Sequence, residues 1–284
     1  VVTALAQATF FGLGAVVATQ LVEPGKAARA IAAVFLGSTI ANMFGSPAGT
    51  VVGQAFGWRS TFFILSAVAG GAGLLLILLL PQVASEKAKN LKAEFAVLLR
   101  PAMIRALLMT TLGFGGTFTT FTFIAPMLTE VTGLPSGWVP ALLLLFGFGM
   151  FVGNPIGGRL ADWNIDRAVQ YSLTFLIAVL IAISFVMPFQ IPMIVAVFFF
   201  GMALFSTIPP LQVQVMSRAG DAPVLASAFN IAAFNLGNGM GAWFGSMALE
   251  GGVAYTHVPL IGAAMCGIGL CLALLGATKR PAAA

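Results

Sequence analysis

The sequence has few charged residues and almost no histidine or cysteine. Charged residues make up 7% of the 284 positions and there is one histidine, whereas about a quarter of the residues in soluble domains are charged. A chain this poor in charge does not have enough polar surface to stay in water. Its 60% hydrophobic residues and mean hydropathy of +1.03 identify an integral membrane protein.

The scarcity of reactive side chains also limits the chemistry. Cys266 and Cys271 lie in one apolar stretch on different helical faces, which predicts two buried thiols and neither a disulfide nor a metal site. The glycine-rich segments 113–116 and 147–149 have no following Gly-Lys-Ser or Gly-Lys-Thr, so no nucleotide-phosphate site is predicted. We expect no catalytic residues, no metal and no cofactor, and hence no enzyme.

The net charge of +5 comes from basic residues in short gaps between apolar stretches, which argues against nucleic-acid binding. Twelve basic residues lie in one alternating set of gaps, and only Arg59 lies in the other set. By the positive-inside rule, the first set and the C-terminus are cytoplasmic. The twelve are Lys26, Arg29, Lys87, Lys89, Lys92, Arg100, Arg105, Arg159, Arg167, Arg218, Lys279 and Arg280.

Nine apolar stretches are long enough to cross a bilayer, which takes about 20 residues. They predict an all-α polytopic membrane protein. The stretches are Thr3 to Val22, Ala30 to Phe56, Thr61 to Leu80, Met103 to Thr129, Trp138 to Gly157, Ala168 to Pro188, Pro192 to Met216, Val224 to Leu249 and Val258 to Ala277.

The longest gap divides three spans from six. It predicts residues 1–80 as the last three helices of an N-terminal six-helix bundle and 81–102 as a central cytoplasmic loop, followed by a complete C-terminal six-helix bundle with a short tail at 103–284. Because the chain starts at Val1 inside an apolar stretch, we expect a fragment that lacks the first three helices. The loop is either a short helix on the membrane surface or a solvated linker. Its apolar residues are Leu91, Phe95, Leu98 and Leu99.

A row of small residues at every fourth position runs through the second stretch. On a helix these residues form a ridge without side chains, along which another backbone can approach closely. Pro47 lies on the ridge and removes a helical hydrogen bond, which predicts a bend. The row comprises Gly37, Ala41, Gly45, Gly49, Gly53 and Gly57.

Several short motifs occur in a fixed order along the chain. They are Phe10-Phe11-Gly12-Leu13-Gly14, Pro24-Gly25-Lys26, Gly45-Ser46-Pro47-Ala48-Gly49-Thr50, Gly57-Trp58-Arg59, Gly153-Asn154-Pro155-Ile156-Gly157-Gly158-Arg159-Leu160-Ala161-Asp162, Ala228-Phe229-Asn230 and Asn235-Leu236-Gly237. In this order, with the long loop between them, they resemble the major facilitator superfamily. The closest group is that of bacterial drug:proton antiporters, in the arabinose-efflux-permease-like and purine-nucleoside-efflux-like branch. The resemblance covers essentially the whole chain and aligns it with helices four to twelve of twelve.

The resemblance implies that the Gly37–Gly57 row is the antiporter motif of the fifth helix, which packs beside the eighth between the two bundles. The eighth helix carries its own row, Gly149, Gly153 and Gly157, so we expect the two rows to meet. Such faces permit rocking, and tight packing without motion is the alternative. A third row, Gly237, Gly241 and Gly245, is expected to lack its partner helix.

The segment from Gly158 to Arg167 resembles the family's short cytoplasmic loop motif. Gly158 is expected to form a positive-φ turn after a helix, with Arg159 on the free terminal carbonyls. Asp162 or Asp166 is expected to cap the next helix and to pair with Arg159 or Arg167. The cluster is either a latch that opens and closes between conformations or a loop that only sets topology.

The family places its first, fourth, seventh and tenth helices around the substrate cavity. Aromatic and polar residues within the three such spans present here suit a small, partly apolar or planar solute, and ordinary core positions are the alternative. Five asparagines are expected to bond between helices. The cavity candidates are Gln7, Thr9, Phe10, Phe11, Phe114, Thr117, Phe118, Phe121, Thr122, Phe199, Phe205 and Gln212, with Gln214 weaker; the asparagines are Asn42, Asn154, Asn230, Asn235 and Asn238.

The resemblance implies secondary-active efflux of a drug, sugar or nucleoside by proton antiport with alternating access, in the bacterial inner membrane. An uptake carrier or facilitator, and a non-transporting sensor or assembly subunit, are the alternatives. Relatives usually carry His where Gln7 stands, and no Asp, Glu, Lys, Arg or His lies in the central part of any predicted span. Because proton relays need such groups, either the coupling residue lies in the absent spans or the protein is not proton-driven. His257 is expected to be a surface or capping residue. The expected partners are a small-molecule substrate, protons and the lipid bilayer, without an obligate protein partner.

Overall fold

The computed structural model describes residues 10, 14, 17, 21, 27–80, 96–220 and 222–277, and in this part of the chain all regular structure is helical. Nine described α-helices of five residues or more are numbered here in chain order. Between them lie short helical turns at Ile124–Pro126 and Met127–Val131 and two 3₁₀ turns at Ser136–Trp138 and Tyr255–His257. The helices are α1 (Ala27–Phe56), α2 (Trp58–Leu79), α3 (Pro101–Gly115), α4 (Thr117–Phe121), α5 (Val139–Trp163), α6 (Ile165–Val186), α7 (Gln190–Ser217), α8 (Pro223–Glu250) and α9 (Val258–Ala277).

The predicted all-helical membrane fold is confirmed, and the count of nine spans is not. Five described helices, α2, α5, α6, α7 and α9, are long and apolar enough to cross a membrane, and a sixth span is a broken one. The helices α1 and α8 have 30 and 28 residues but are rich in alanine and glycine. Small residues lower the hydropathy of a helix and suit it to close packing against another helix. The first predicted span lies almost entirely outside the described residues.

The broken span consists of α3, α4 and the following turns. After α4, at Phe123, the chain bends by 46° before the segment Ile124–Val131. The hydroxyl of Thr117 donates to the carbonyl of Phe114 at 2.6 Å, and that of Thr119 donates to Gly116 at 2.8 Å. Hydroxyls of this kind satisfy backbone carbonyls that an interrupted helix leaves free in an apolar medium.

The broken span lies inside the bundle formed by the second part of the chain. The helices α8 and α9 pack on α3 and α4, while α5 packs on α7 and α6 packs on both α7 and α9. The first part of the chain joins through α1, which packs against both α2 and α5. No residue of α2 is buried, so its apolar side chains are available to lipid.

The end of the central loop enters the base of the C-terminal bundle. Residues 96–98 are helical, and Val97 and Leu98 are buried in a cluster with Met103 of α3 and Val215 of α7. Leu99 is 74% exposed, so it does not share the buried face of Leu98. The rest of the loop, including Leu91 and Phe95, lies outside the described residues.

Candidate functional site

A continuous row of six phenylalanine rings crosses the C-terminal bundle. Phe234 of α8 meets Phe114 of α3 at 4.7 Å between ring centroids. The contacts continue from Phe114 to Phe118 at 6.2 Å and to Phe121 at 5.6 Å. Phe121 stacks on Phe146 of α5 at 4.9 Å, and Phe146 meets Phe200 of α7 at 5.4 Å. Rings from five elements, α3, α4, α5, α7 and α8, therefore form one continuous aromatic row, in which Phe114, Phe146 and Phe200 are buried.

A chain of neutral polar side chains connects α3, α7 and α8. On α3 and α8 it lies one helical turn before the aromatic row, since Thr110 and Asn230 precede Phe114 and Phe234 by four residues. The hydroxyl of Thr110 donates to Asn230 Oδ1 at 2.7 Å, and Asn230 Nδ2 donates to Gln212 Oε1 at 2.6 Å. Gln212 Nε2 in turn donates to the hydroxyl oxygen of Ser227 at 2.6 Å. Thr110 and Asn230 are fully buried, so these bonds satisfy groups that are costly to leave unpaired in an apolar surrounding.

The structure brings together only part of the predicted cavity set. Phe114, Phe118 and Phe121 belong to the aromatic row, and Gln212 belongs to the polar chain. The other described candidates are placed differently: Thr117 bonds to the carbonyl of Phe114 at the end of α3, Phe205 is partly buried in the core, and Thr122, Phe199 and Phe10 are exposed. The candidates Gln7, Thr9 and Phe11 lie outside the described residues.

The ring contacts include three residues that the sequence reasoning missed: Phe146, Phe200 and Phe234. Phenylalanine is too frequent in this sequence, at 25 residues, for its occurrence alone to select them. Asn230 was expected to bond between helices and does so. Asn235 was expected to do the same and instead donates to the carbonyl of Ile231 in its own helix at 2.9 Å.

The glycine row of α5 packs on α7, so its expected pairing with the Gly37–Gly57 row is wrong. A Cβ placed on Gly149 would collide with the carbonyl oxygen of Phe198. A Cβ placed on Gly153 would likewise collide with the carbonyl oxygen of Met202, and one on Gly157 with that of Ser206. The three glycines therefore hold two helices of the C-terminal bundle together. They do not face the first part of the chain.

The row on α8 also has a partner, contrary to the expectation that its face would be empty. A Cβ on Gly237 would collide with the carbonyl oxygen of Thr111, and one on Gly241 with that of Gly115. Gly245 lies against the ring of Phe123, where a Cβ would come within 2.7 Å. The broken span of α3 and α4 fills the surface that was assigned to an absent helix.

The row on α1 has few neighbours among the described residues. Around Gly37 and Gly45 a Cβ would have no described atom within 4 Å, while at Gly49 and Gly53 it would touch Thr61 of α2 at 3.4 Å. Gly57 has φ +83, a value that side chains rarely allow, and makes the turn into α2. Pro47 is buried inside α1.

One side-chain contact ties α1 to the segment before α5. Gln54 Nε2 donates to the backbone carbonyl of Ser136 at 3.2 Å. Since α1 also packs along α5, this contact lies at the boundary between the first and second parts of the described chain.

The short loop motif differs from its predicted geometry. Gly158 lies within α5 and is not among the described glycines with positive φ. The cap of α6 is Asn164, whose Oδ1 accepts from the backbone N–H of Arg167 at 2.9 Å. Asn164 takes this role because its extended backbone separates the two helices, whereas Asp162 is still inside α5.

The carboxylate of Asp166 pairs across helices. Its Oδ1 lies 3.6 Å from Arg218 Nη2 at the end of α7, and Gln214 Nε2 donates to it at 3.4 Å. The predicted partner Arg167 instead places its guanidinium 5.4 Å from the ring centroid of Trp163. The cluster therefore joins α6 to α7 at one end of the C-terminal bundle.

Sequence comparison agrees with this architecture. The family model described as "Major Facilitator Superfamily" matches residues 1–242 of this chain. The chain is 38% identical to the inner membrane transport protein YdhP of Escherichia coli (strain K12) over 281 residues, which cover 99% of this chain and 72% of that protein. It is 33% identical over 270 residues to the uncharacterized MFS-type transporter YtbD of Bacillus subtilis (strain 168), covering 93% and 68% of the two chains. It is 30% identical over 277 residues to the putative transporter AraJ of Escherichia coli (strain K12), covering 97% and 70%. This chain therefore belongs to the major facilitator superfamily and is a multi-pass membrane transporter.

Proposed function

We propose that this transporter exports a small, neutral, partly planar solute such as a drug, a sugar or a nucleoside across a bacterial inner membrane. The observation that carries the proposal is the position of the neutral polar chain one helical turn from the aromatic row, on the same helices α3 and α8. The partly exposed rings of Phe118 and Phe121 offer stacking surfaces next to the buried ring of Phe114, and Gln212 offers an amide that can donate and accept.

The lack of charged side chains in the aromatic row and the polar chain supports a neutral solute. None of the residues in the row or in the polar chain is ionisable, and the Asp, Glu, Lys and Arg residues of the described helices lie toward the helix ends. A buried ion without a partner of opposite charge would be strongly disfavoured there. A flat ring with a few hydroxyl or amide groups matches both kinds of surface.

Transport would proceed by rocking of residues 1–80 against residues 103–284 around the contact between α1 and α5. The row of α1 supports this movement, since no described atom lies within 4 Å of a Cβ placed on Gly37 or Gly45. The C-terminus would be cytoplasmic by the distribution of lysine and arginine. The antiporter-like motif from Gly45 to Thr50 supports export in exchange for protons.

Inverted membrane vesicles that contain the full natural chain test the proposal. With an imposed proton gradient, a panel of labelled drugs, sugars and nucleosides should include at least one solute that accumulates, and a protonophore should abolish its accumulation. The control is vesicles with Asn230→Ala, which should show weaker accumulation because the polar chain is broken. Absence of uptake for every solute on the panel would contradict the proposal.

A facilitator or uptake carrier of the same fold is the second candidate. The neutral site favours it, since no proton-binding group lies among the site residues. Counterflow of the same solute that is insensitive to the proton gradient would identify this mode. A sensor or assembly subunit would show neither accumulation nor counterflow.

A further inference from the structure

Two exposed aromatic rings and one arginine form a stack where α5 ends and α6 begins. The rings of Trp163 and Tyr171 are nearly parallel, at 14°, with centroids 6.4 Å apart. The guanidinium of Arg167 lies 5.4 Å from the Trp163 centroid. Trp163 is 59% exposed and Tyr171 is 51% exposed, so the stack is on the outside of the bundle.

The arginine of this stack is available to an outside anion. Asn164 uses the backbone N–H of Arg167 to cap the helix, which leaves the guanidinium to the stack. The neighbouring carboxylate of Asp166 pairs with Arg218, and among the described residues Arg167 has no salt bridge. Asp162 is exposed and belongs to no described salt bridge either. The tryptophan face holds the guanidinium in place without neutralising it.

The exposed face of α6 below the stack forms a mainly apolar track. It continues from Tyr171 through Thr174, Ala178 and Ile181 to Phe185, at steps of three or four residues. At about 1.5 Å per residue this face extends about 20 Å along the helix, which is of the order of one acyl chain.

We propose that this stack and track bind one anionic phospholipid. The phosphate lies on the guanidinium of Arg167, the phenol of Tyr171 donates to the phosphate or ester oxygens, and one acyl chain follows the exposed face of α6. Tryptophan and tyrosine favour the interface between acyl chains and headgroups, and arginine at the same depth favours anionic lipids. The proposal rests on the placement of α6 in the membrane and is independent of the transported solute and its direction.

The test is native mass spectrometry of the purified full natural chain in detergent with phosphatidylglycerol or phosphatidylcholine of identical acyl chains. The wild type should retain more phosphatidylglycerol. Arg167→Gln should lose about five-fold of that retention, the effect of about one basic residue near the surface. Arg100→Gln is the matched control, since Arg100 is also exposed and has no described ring contact, and it should retain the lipid as the wild type does.

Further variants separate the lipid from a free phosphate and from misfolding. Arg167→Lys keeps the charge and should keep most of the retention, while Tyr171→Phe should lower it by removing only the hydroxyl. Soluble glycerol phosphate at the same concentration should not displace the lipid. Equal retention of the two lipids, equal losses for Arg167→Gln and Arg100→Gln, or displacement by glycerol phosphate would each overturn the proposal.

Discussion

Gly153 of α5 lies so close to Met202 of α7 that a Cβ at position 153 would collide with the carbonyl oxygen of Met202. Backbone atoms cannot rotate away as a flexible side chain can, so the helices must separate to admit even one methyl group. Gly149 and Gly157, one turn on either side, meet α7 in the same way. The pair α5 and α7 is thus a closely packed unit of the C-terminal bundle.

Gly153→Ala should therefore destabilise the protein by about 1–3 kcal/mol, the usual cost of overpacking. Thermal unfolding in detergent, followed by fluorescence-detected size exclusion, measures this as a lower melting temperature. Gly158→Ala is the matched control on the same helix, because a Cβ there has no described atom within 4 Å. Equal melting temperatures for the two variants would contradict this prediction, because they would show that α5 and α7 can separate to admit a methyl group without loss of stability.

Asn230→Ala should weaken both stability and solute affinity. It removes the residue that joins Thr110 to Gln212, and hydrogen bonds between membrane helices are worth about 0.6 kcal/mol each and up to about 1.7. The melting temperature should fall and the KM for transport should rise. Asn235→Ala should change neither, because its side chain bonds within its own helix. Identical behaviour of the two variants would contradict a role for the polar chain.

Phe121→Leu should raise the KM without abolishing folding. The ring of Phe121 stacks on Phe146, and an aromatic pair is worth about 0.5–1.5 kcal/mol beyond its buried area. If the solute stacks on the same rings, its KM should rise by up to about ten-fold. Phe185→Leu is the control, since that ring is 71% exposed and should affect only lipid contact. An unchanged KM for Phe121→Leu would remove the aromatic row from the solute site.

Asp166→Asn should lower the melting temperature by an amount that shrinks in 1 M salt. The salt bridge to Arg218 spans 3.6 Å with side chains 22% and 13% exposed, so its strength is about 1 kcal/mol or less. Asp162→Asn removes an exposed carboxylate with no described salt bridge and should have little effect. The double exchange Asp166→Arg with Arg218→Asp should recover part of the loss. No recovery, together with no salt dependence, would exclude an electrostatic link between α6 and α7.

The sequence predicted the helical fold and the small-residue rows well but misassigned their partners. Small residues at every fourth position show that one face of a helix lacks large side chains. This spacing does not show which neighbouring helix packs against that face. Gly153 packs against α7, although α1 was expected as its partner. Gly237 packs against α3, although its partner was expected to be an absent helix. The packing partner depends on the arrangement of all helices in the bundle, and the residue spacing within one helix carries no information about that arrangement.

The chemistry of the candidate site was predictable only in part. Polar residues in apolar stretches are rare enough to stand out, so Gln212 and Asn230 were found. Phe146 was missed because phenylalanine is abundant in the spans and its ring contacts arise from three-dimensional packing. The cap of α6 was assigned to an aspartate because both residue types cap well, and the choice of Asn164 follows from where α5 ends.

The central claim is that the two parts of the chain move against each other around α1 and α5. Gln54 and Ser136 touch across this boundary, so cysteines at both positions can be joined by a short thiol crosslinker. The background is the full natural chain with Cys266→Ser and Cys271→Ser, and each single-cysteine variant serves as a control.

The measurement is solute transport in vesicles before crosslinking, after crosslinking and after cleavage of a reducible crosslinker. The account predicts that transport by the double variant falls in proportion to the crosslinked fraction and returns on reduction, while both single variants are unaffected. Full transport by a completely crosslinked protein would contradict it.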